Sequence, residues 1–220
     1  MKNNRLIAIA AICVGFAFGA PQALAGIAYT GTPVIDMTDD SSTPRTWPGD
    51  DLTLGYDFNV AAGKELKVTG LGIFDFGSDG LSAAHDVAVW TEAGALLASA
   101  TVPSGAGMTL ASGNSAGQWV YVNIAALTLG PGDYTIGAFY GANNIDKVMT
   151  NQTAVNNIAG VTYTQGQYIY DSTFQKPFKN YAVNEAQYFG PVMVVPEPAT
   201  LALFGLGLLG LGSAKRKQAS

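Results

Sequence analysis

The feature that most restricts the fold is a change of rhythm repeated along most of the chain. Short runs with a period of two are broken by clusters of turn-forming residues. Leu52-Thr53-Leu54-Gly55-Tyr56-Asp57-Phe58 alternates apolar with other residues, the pattern of a strand with one half-buried face. Val87 and Val89 would share one face of a second strand, with Ala88 and Trp90 on the other. Two further runs, residues 119–124 and 134–140, are rich in β-branched and aromatic residues, which suit strands. Between the runs lie Pro48-Gly49-Asp50-Asp51, Ala61-Ala62-Gly63-Lys64, Glu92-Ala93-Gly94 and Gly130-Pro131-Gly132-Asp133, all with turn chemistry. Glu92-Ala93-Gly94 predicts a hairpin between residues 85–91 and 95–102. No sustained helical period or capping box interrupts this region. The expected fold is all-β: an antiparallel two-sheet sandwich, jelly-roll or immunoglobulin-like. Residues 103–117 and 143–187 fall outside the pattern and read as long loops.

The two ends follow other rules. Lys2 and Arg5 precede an apolar run over residues 6–18, and Ala23-Leu24-Ala25 offers small residues at a cleavage site. That order is the order of a secretory signal peptide, so residues 1–25 are expected to be removed after Ala25. Cys13, the only cysteine of the 220 residues, would leave with it. The exported domain, residues 26–195, would then have no disulfide and no thiol chemistry. Its stability must come from its core.

Charge narrows the partners. The chain has 11 basic and 16 acidic residues. Lys2, Arg5, Lys215, Arg216 and Lys217 lie at the ends, whereas Glu197 is the one acid outside the domain. The domain is therefore more acidic than the net charge of −5 for the whole chain. Such a surface repels nucleic acid and anionic lipid and favours divalent cations or neutral partners.

Two stretches carry candidate sites. In residues 75–86, counted as a calcium loop, Asp75 takes position 1, Asp79 position 5, Gly80 the sharp turn and Asp86 position 12. Position 3 is Gly77 and the flanks are strands, so this is no EF-hand. Two readings stand: Ca²⁺ held by Asp75, Asp79, Asp86 and backbone carbonyls, or aspartates that cap a glycine-rich turn. Further on, Tyr163, Tyr168, Tyr170, Phe174, Phe178, Tyr181 and Tyr188 are spaced among polar residues. They either stack on sugar rings, with Tyr163, Tyr168 and Tyr170 as the contacts, or pack edge strands onto the sandwich.

Catalysis finds little support. His85 is the only histidine, which leaves no His-based metal site, and a Ser-His-Asp triad would have to use it without a Gly-x-Ser-x-Gly elbow. No phosphate-cradling loop is present, and no carboxylate pair lies in a recognisable active-site setting. The expectation is a protein that is not an enzyme.

The C-terminus reads Val195-Pro196-Glu197-Pro198-Ala199-Thr200-Leu201, followed by a Gly/Leu-rich run and Lys215-Arg216-Lys217. Residues 198–214 carry no charge and would form a helix about 25 Å long, the lower limit for a transmembrane span. The basic end would stay on the cytoplasmic side. Taken alone, this geometry fits a permanent anchor. The whole tail, however, closely resembles the sorting signal of the PEP-CTERM proteins of Gram-negative bacteria. The resemblance implies that an exosortase, a membrane cysteine protease, recognises Pro196, Glu197 and Pro198 within residues 196–220 and cleaves there. The logic parallels a removed GPI-signal tail.

The domain also looks like the β-sandwich modules common among such proteins. The likeness rests on Leu71-Gly72-Ile73-Phe74-Asp75, Asp79-Gly80-Leu81, His85-Asp86-Val87-Ala88-Val89-Trp90, Gly132-Asp133-Tyr134 and Tyr188-Phe189-Gly190-Pro191. It implies a non-enzymatic protein, transiently anchored in the inner membrane and then released to the cell surface or matrix. There it would support biofilm or floc formation with exopolysaccharide as partner. A carbohydrate-binding module and a membrane-tethered adhesin are the alternatives.

Overall fold

The computed structural model of the chain describes residues 31–38, 42–150, 155–180 and 188–197. The leader with Ala23 and Ala25, the aromatic Tyr181, Pro198, the expected sorting helix and the basic cluster Lys215, Arg216 and Lys217 lie outside the described residues.

The described residues are organised as strands, without a helix. Three short ones come first: β1 (Gly31–Pro33), β2 (Ile35–Met37) and β3 (Thr43–Arg45). The next four are β4 (Leu52–Val60), β5 (Leu66–Phe76), β6 (His85–Thr91) and β7 (Leu96–Val102). After them come β8 (Met108–Ala111), β9 (Gly117–Leu129), β10 (Gly132–Tyr140) and β11 (Val148–Thr150). The last are β12 (Val155–Asn157), β13 (Val161–Tyr170), β14 (Lys179–Asn180) and β15 (Pro191–Pro196).

Two antiparallel sheets dominate. One has the order β1-β15-β5-β9-β8 and the other β14-β13-β4-β10-β6-β7, with the small pairs β11-β3 and β12-β2 beside them. The period-two runs become β4, β6, β9 and β10, and the predicted hairpin is β6–β7. Its turn ends on Gly94 at φ +91°, a backbone state that suits glycine. Leu54, Tyr56 and Phe58 of β4, Leu71 and Ile73 of β5, Ile136 of β10 and Met193 of β15 are all buried in one cluster. The two sheets therefore share a core.

Two expectations about loops are corrected. Residues 103–117 contain β8, and residues 143–187 contain β11, β12, β13 and β14. β13 in particular pairs with β4 over nearly its full length, with a register shift between Tyr163 and Gln165. That bulge breaks the alternation, so a period-two reading loses the strand at its centre.

The six-stranded sheet is covered on both faces. Val87 and Val89 point into the main cluster, while Ala88, Trp90 and Ile169 are buried outside it. The chain between β13 and β14 folds back over that outer face. Phe174 lies edge-on to Trp90 with centroids 5.4 Å apart, and tilted to Phe139 at 6.3 Å. Pro177 approaches Gly137 so closely that a Cβ there would sit 3.0 Å from the proline ring. The Lys176 ammonium donates to the Glu92 carbonyl at 2.9 Å. This strap supplies the apolar cover that the alternation of β6 requires on its second face.

Candidate functional site

The aspartate loop joins β5 to β6. Asp75 closes the end of β5 and is buried, and its Oδ2 accepts from the Gly80 N–H at 3.1 Å and from the Gln118 side chain at 3.2 Å. Gly77, Ser78 and Gly80 all have positive φ, so the chain reverses tightly around that carboxylate. Asp79 is exposed at the tip. Asp86 is exposed on β6, where it accepts from Thr101 Oγ1 of β7 at 2.5 Å. The three aspartates do not converge. Among the described residues no three His, Asp or Glu side chains form a group able to hold a metal ion. The calcium reading of Asp75, Asp79 and Asp86 is corrected for a physical reason. Asp86 belongs to a paired strand and serves the neighbouring strand, while Asp75 is turned inward to hold its own turn.

What the loop does contain is a buried polar lock. The His85 side chain is fully buried, with Nδ1 3.0 Å from the Phe139 carbonyl and Nε2 2.9 Å from Asp146 Oδ2. The Asn144 amide nitrogen lies beside the same ring, 3.1 Å from Nε2 and 3.4 Å from Nδ1. The imidazole meets the Tyr140 ring edge-on at 4.6 Å. Asp146 also accepts from the Ser82 N–H at 2.7 Å and the Ala83 N–H at 3.1 Å. Asn144 Oδ1 accepts from the Asp146 N–H at 2.7 Å. Burial pushes the Asp146 carboxyl up, but the hydrogen bonds from His85, the two amides and the Ser82 side chain outweigh it and hold the group below the ordinary carboxylate range.

Asp146 thus ties the β5–β6 loop to the β10–β11 loop. Above it lies a cleft of about 250 Å³, where the Lys147 ammonium sits 4.1 Å from the centroid of the Phe76 ring. Sequence reasoning did not single out Asn144 or Asp146. Asp146 is 61 residues from His85, so no local spacing marks the pair.

The aromatic stretch is divided by depth along β13 and the chain that follows it. Tyr163 turns into the core, stacked on Phe189 with centroids 5.5 Å apart and tilted against Tyr56 at 5.5 Å. Burial pushes its phenol well above the usual range, with Asp57 and Tyr188 adding to it. Tyr168 is half-buried, edge-on to Tyr170 at 5.7 Å and to Tyr188 at 6.2 Å. Tyr188 in turn meets Trp47 edge-on at 6.0 Å. Of the three proposed sugar contacts only Tyr170 is exposed, at 48 %. Tyr163, Tyr168 and Tyr170 pair with Phe58, Leu54 and Leu52 of β4 and so lie on the core-facing side of β13. The first two pack against the core and only the strand's last residue reaches solvent, so they form no accessible platform. Phe174 is spent on the strap, and Phe178 is exposed at 61 %.

The third candidate is β15, the last strand of the described residues. β15 lies between β1 and β5, and its last pair is Pro196 with Gly31. The Val34 N–H donates to the Met193 carbonyl at 2.9 Å. Hydrogen-bonded pairs alternate along an antiparallel ladder, so Pro33/Val194 and Gly31/Pro196 fall on non-hydrogen-bonded positions. These are the sites where a proline forfeits no ladder bond. Both prolines are therefore compatible with regular pairing up to the first residue of the Pro-Glu-Pro triplet. Val194 is buried, whereas Pro196 and Glu197 are exposed. Beside them, β9 sets Ile124, Ala125 and Ala126 against the single residue Thr69 of β5, since Val68 pairs with Leu127 and Gly70 with Asn123. This bulge opens a cleft of about 320 Å³ lined by Thr69, Asn123, Ile124, Ala126 and Pro196. The first residue of the triplet thus forms one wall of a surface cleft.

Residues 194–217 match the PEP-CTERM protein-sorting motif. No curated protein and no solved structure matches the chain. The match begins inside β15, so the last strand of the domain and the start of the sorting motif are the same residues.

Proposed function

We propose that the chain is a non-enzymatic structural protein of the cell surface or extracellular matrix, associated with exopolysaccharide and supporting biofilm or floc formation. Its sorting motif implies export, a transient membrane anchor and processing by an exosortase. The observation that carries the reading is the junction itself. The ordered sheet runs to Pro196, and Glu197 stands exposed directly after it. Cleavage at the triplet would release the sandwich with every described strand retained. The non-enzymatic part is supported by the burial of His85, the sole histidine, whose ring nitrogens are both committed to neighbours inside the protein. The domain fits an antiparallel two-sheet sandwich, and its acidic surface suits cation bridging or weak multivalent contacts in a polymer.

The test is an intact mass of the protein from the extracellular fraction beside that from the membrane fraction. A mass ending near Pro196 or Glu197, outside the membrane, is expected. A full-length mass confined to the membrane would make the protein a tethered adhesin. The matrix role is tested separately: a strain lacking the gene is expected to lose flocculation or biofilm, and normal behaviour would overturn it.

A second reading, carbohydrate binding, rests on the exposed Tyr170 with Tyr168 edge-on behind it. Pull-down on purified exopolysaccharide that survives Tyr170→Ala would remove it.

A further inference from the structure

From Ala93 through Gly132 the chain contains no Asp, Glu, Lys, Arg or His. In a domain this acidic, so long an uncharged block requires a structural explanation. The block builds β7, β8 and β9. β7 is one edge of the six-stranded sheet and β8 one edge of the five-stranded sheet. β7 also lies against β9 across the sandwich, so both edges border one side of the molecule.

The opposite edges are built differently. β1 has three residues including Pro33, and β14 has two, Lys179 and Asn180, soon after Pro177. Short length, proline and lysine are the usual means of blunting an edge strand against pairing with another chain. β7 has no proline, glycine or charge. A bulge at Leu97 disturbs one end, where Val89 pairs with Ala98 but Trp90 with Leu96. Ala98 to Val102 remain in regular register with β6, and their other side has no strand partner among the described residues. Leu96 at 59 % and Met108 at 37 % exposure flank the area. The nearest carboxylate, Asp86, lies one strand in and is bonded by Thr101.

We infer that this uncharged side is a self-association surface, on which two copies of the chain pair β7 with β7 antiparallel and extend the six-stranded sheet across a two-fold axis. A two-fold contact is self-complementary, so one strand suffices for both partners. Charge selects the occupant. Two acidic copies meeting elsewhere bring carboxylates together, and on this side they do not. A pairing of this length buries less than the roughly 1,200 Å² of a stable specific interface. Association is therefore weak, concentration-dependent and strengthened by salt, which screens the residual repulsion. Weak pairing suits a crowded polymer, where multivalency adds to it. The inference takes only its setting from the matrix role, and sedimentation of purified protein is blind to location. A negative result here leaves the intact-mass test standing.

The experiment is sedimentation of the exported protein, recovered from the extracellular fraction, up to roughly 100 μM at low and physiological salt. The wild type is expected to shift towards dimer with concentration, more so with salt. Ser99→Lys, at an exposed position of β7, is expected to weaken dimerisation at least about tenfold. Ala62→Lys, the same charge change in the exposed β4–β5 turn, is expected to leave dimerisation intact. A wild type that stays monomeric throughout overturns the inference, as does a dimer indifferent to Ser99→Lys. Association seen only when polysaccharide is added also overturns it and assigns the side to glycan. Should Ser99→Lys not fold, Ser99→Cys replaces it, since the chain's only native cysteine is Cys13. Oxidised dimers should then form at least about tenfold faster than with Ala62→Cys, and equal rates count against the pairing.

Discussion

The β5–β6 loop and the aromatic stretch from Tyr163 to Tyr188 both look functional as sequence, and the fold uses them in opposite ways. In the loop, polar residues are drawn inward. Asp75 holds its own turn and His85 is sealed against Asp146. In the stretch, one residue type is distributed between inside and outside, with Tyr163 stacked on Phe189 and Tyr170 half in solvent. A polar group can be buried when the chain brings it donors or acceptors, as His85 and the Ser82 and Ala83 amides are brought to Asp146. An aromatic ring needs only area, and on one face of β13 Tyr163 finds it over the core while Tyr170, the last residue of the strand, does not. Residue type is therefore a weaker guide to exposure than the partners that the topology delivers.

Removing the acceptor of the lock should be the most damaging change. Asp146→Ala leaves the Ser82 and Ala83 amides and a buried His85 without it, and is expected to cost about 3 kcal/mol in urea unfolding. A loss under about 1 kcal/mol would show that the two loops are not energetically joined through this carboxylate. The same group sets an acid limit. Its folded pKa lies below the unfolded value of about 3.9. Between the two values the unfolded chain binds the extra proton. The contribution is thus fully present above about pH 4 and is lost as pH falls through the lower, folded value. Stability of Asp146→Asn should lack this part of the acid slope, and an unchanged slope would assign it elsewhere.

Tyr163→Ala removes a ring packed against Tyr56 and Phe189 and should cost about 3 kcal/mol. Tyr170→Ala should stay within about 0.5 kcal/mol. Equal costs would mean that the two positions do not differ in packing as the structure places them. Smaller, and opposite in sign, is the effect expected at Tyr56. Its ring is fully buried and its hydroxyl has no hydrogen-bond partner among the described residues. Tyr56→Phe keeps the ring and removes an unsatisfied polar atom, so it should stabilise the domain by up to about 1 kcal/mol. A measured loss would reveal a partner for that hydroxyl.

The strand framework was legible because β4, β6, β9 and β10 alternate cleanly and end in turn residues. β13 was not, since its bulge between Tyr163 and Gln165 interrupts the period and Gln165 and Gln167 read as loop. In the fold those glutamines donate to Asp57 of β4, whose other oxygen accepts from Thr135 of β10. A ladder of polar side chains across three strands leaves no mark on any one of them. The sorting motif was readable in full because it is contiguous. The His85–Asp146 lock was not, because its members meet only through the pairing of β6 with β10 and the loop that follows. Contiguous signals survive in a sequence, whereas those assembled by topology are dispersed by it.

The smallest expected effect concerns calcium. Asp75 is committed to Gly80 and Gln118, Asp86 to Thr101, and Asp79 alone stands free at the exposed tip of its turn. Ca²⁺ takes six to eight oxygens, and capturing Asp75 would mean breaking the bonds that hold the turn around it. Millimolar Ca²⁺ is therefore expected to leave the melting temperature unmoved apart from general screening of the acidic surface, which Mg²⁺ should reproduce. A rise with Ca²⁺ that Mg²⁺ does not match would show that the loop rearranges to gather its aspartates. The contrast between the two regions would then narrow, because both would hold side chains whose role depends on what they meet outside the domain.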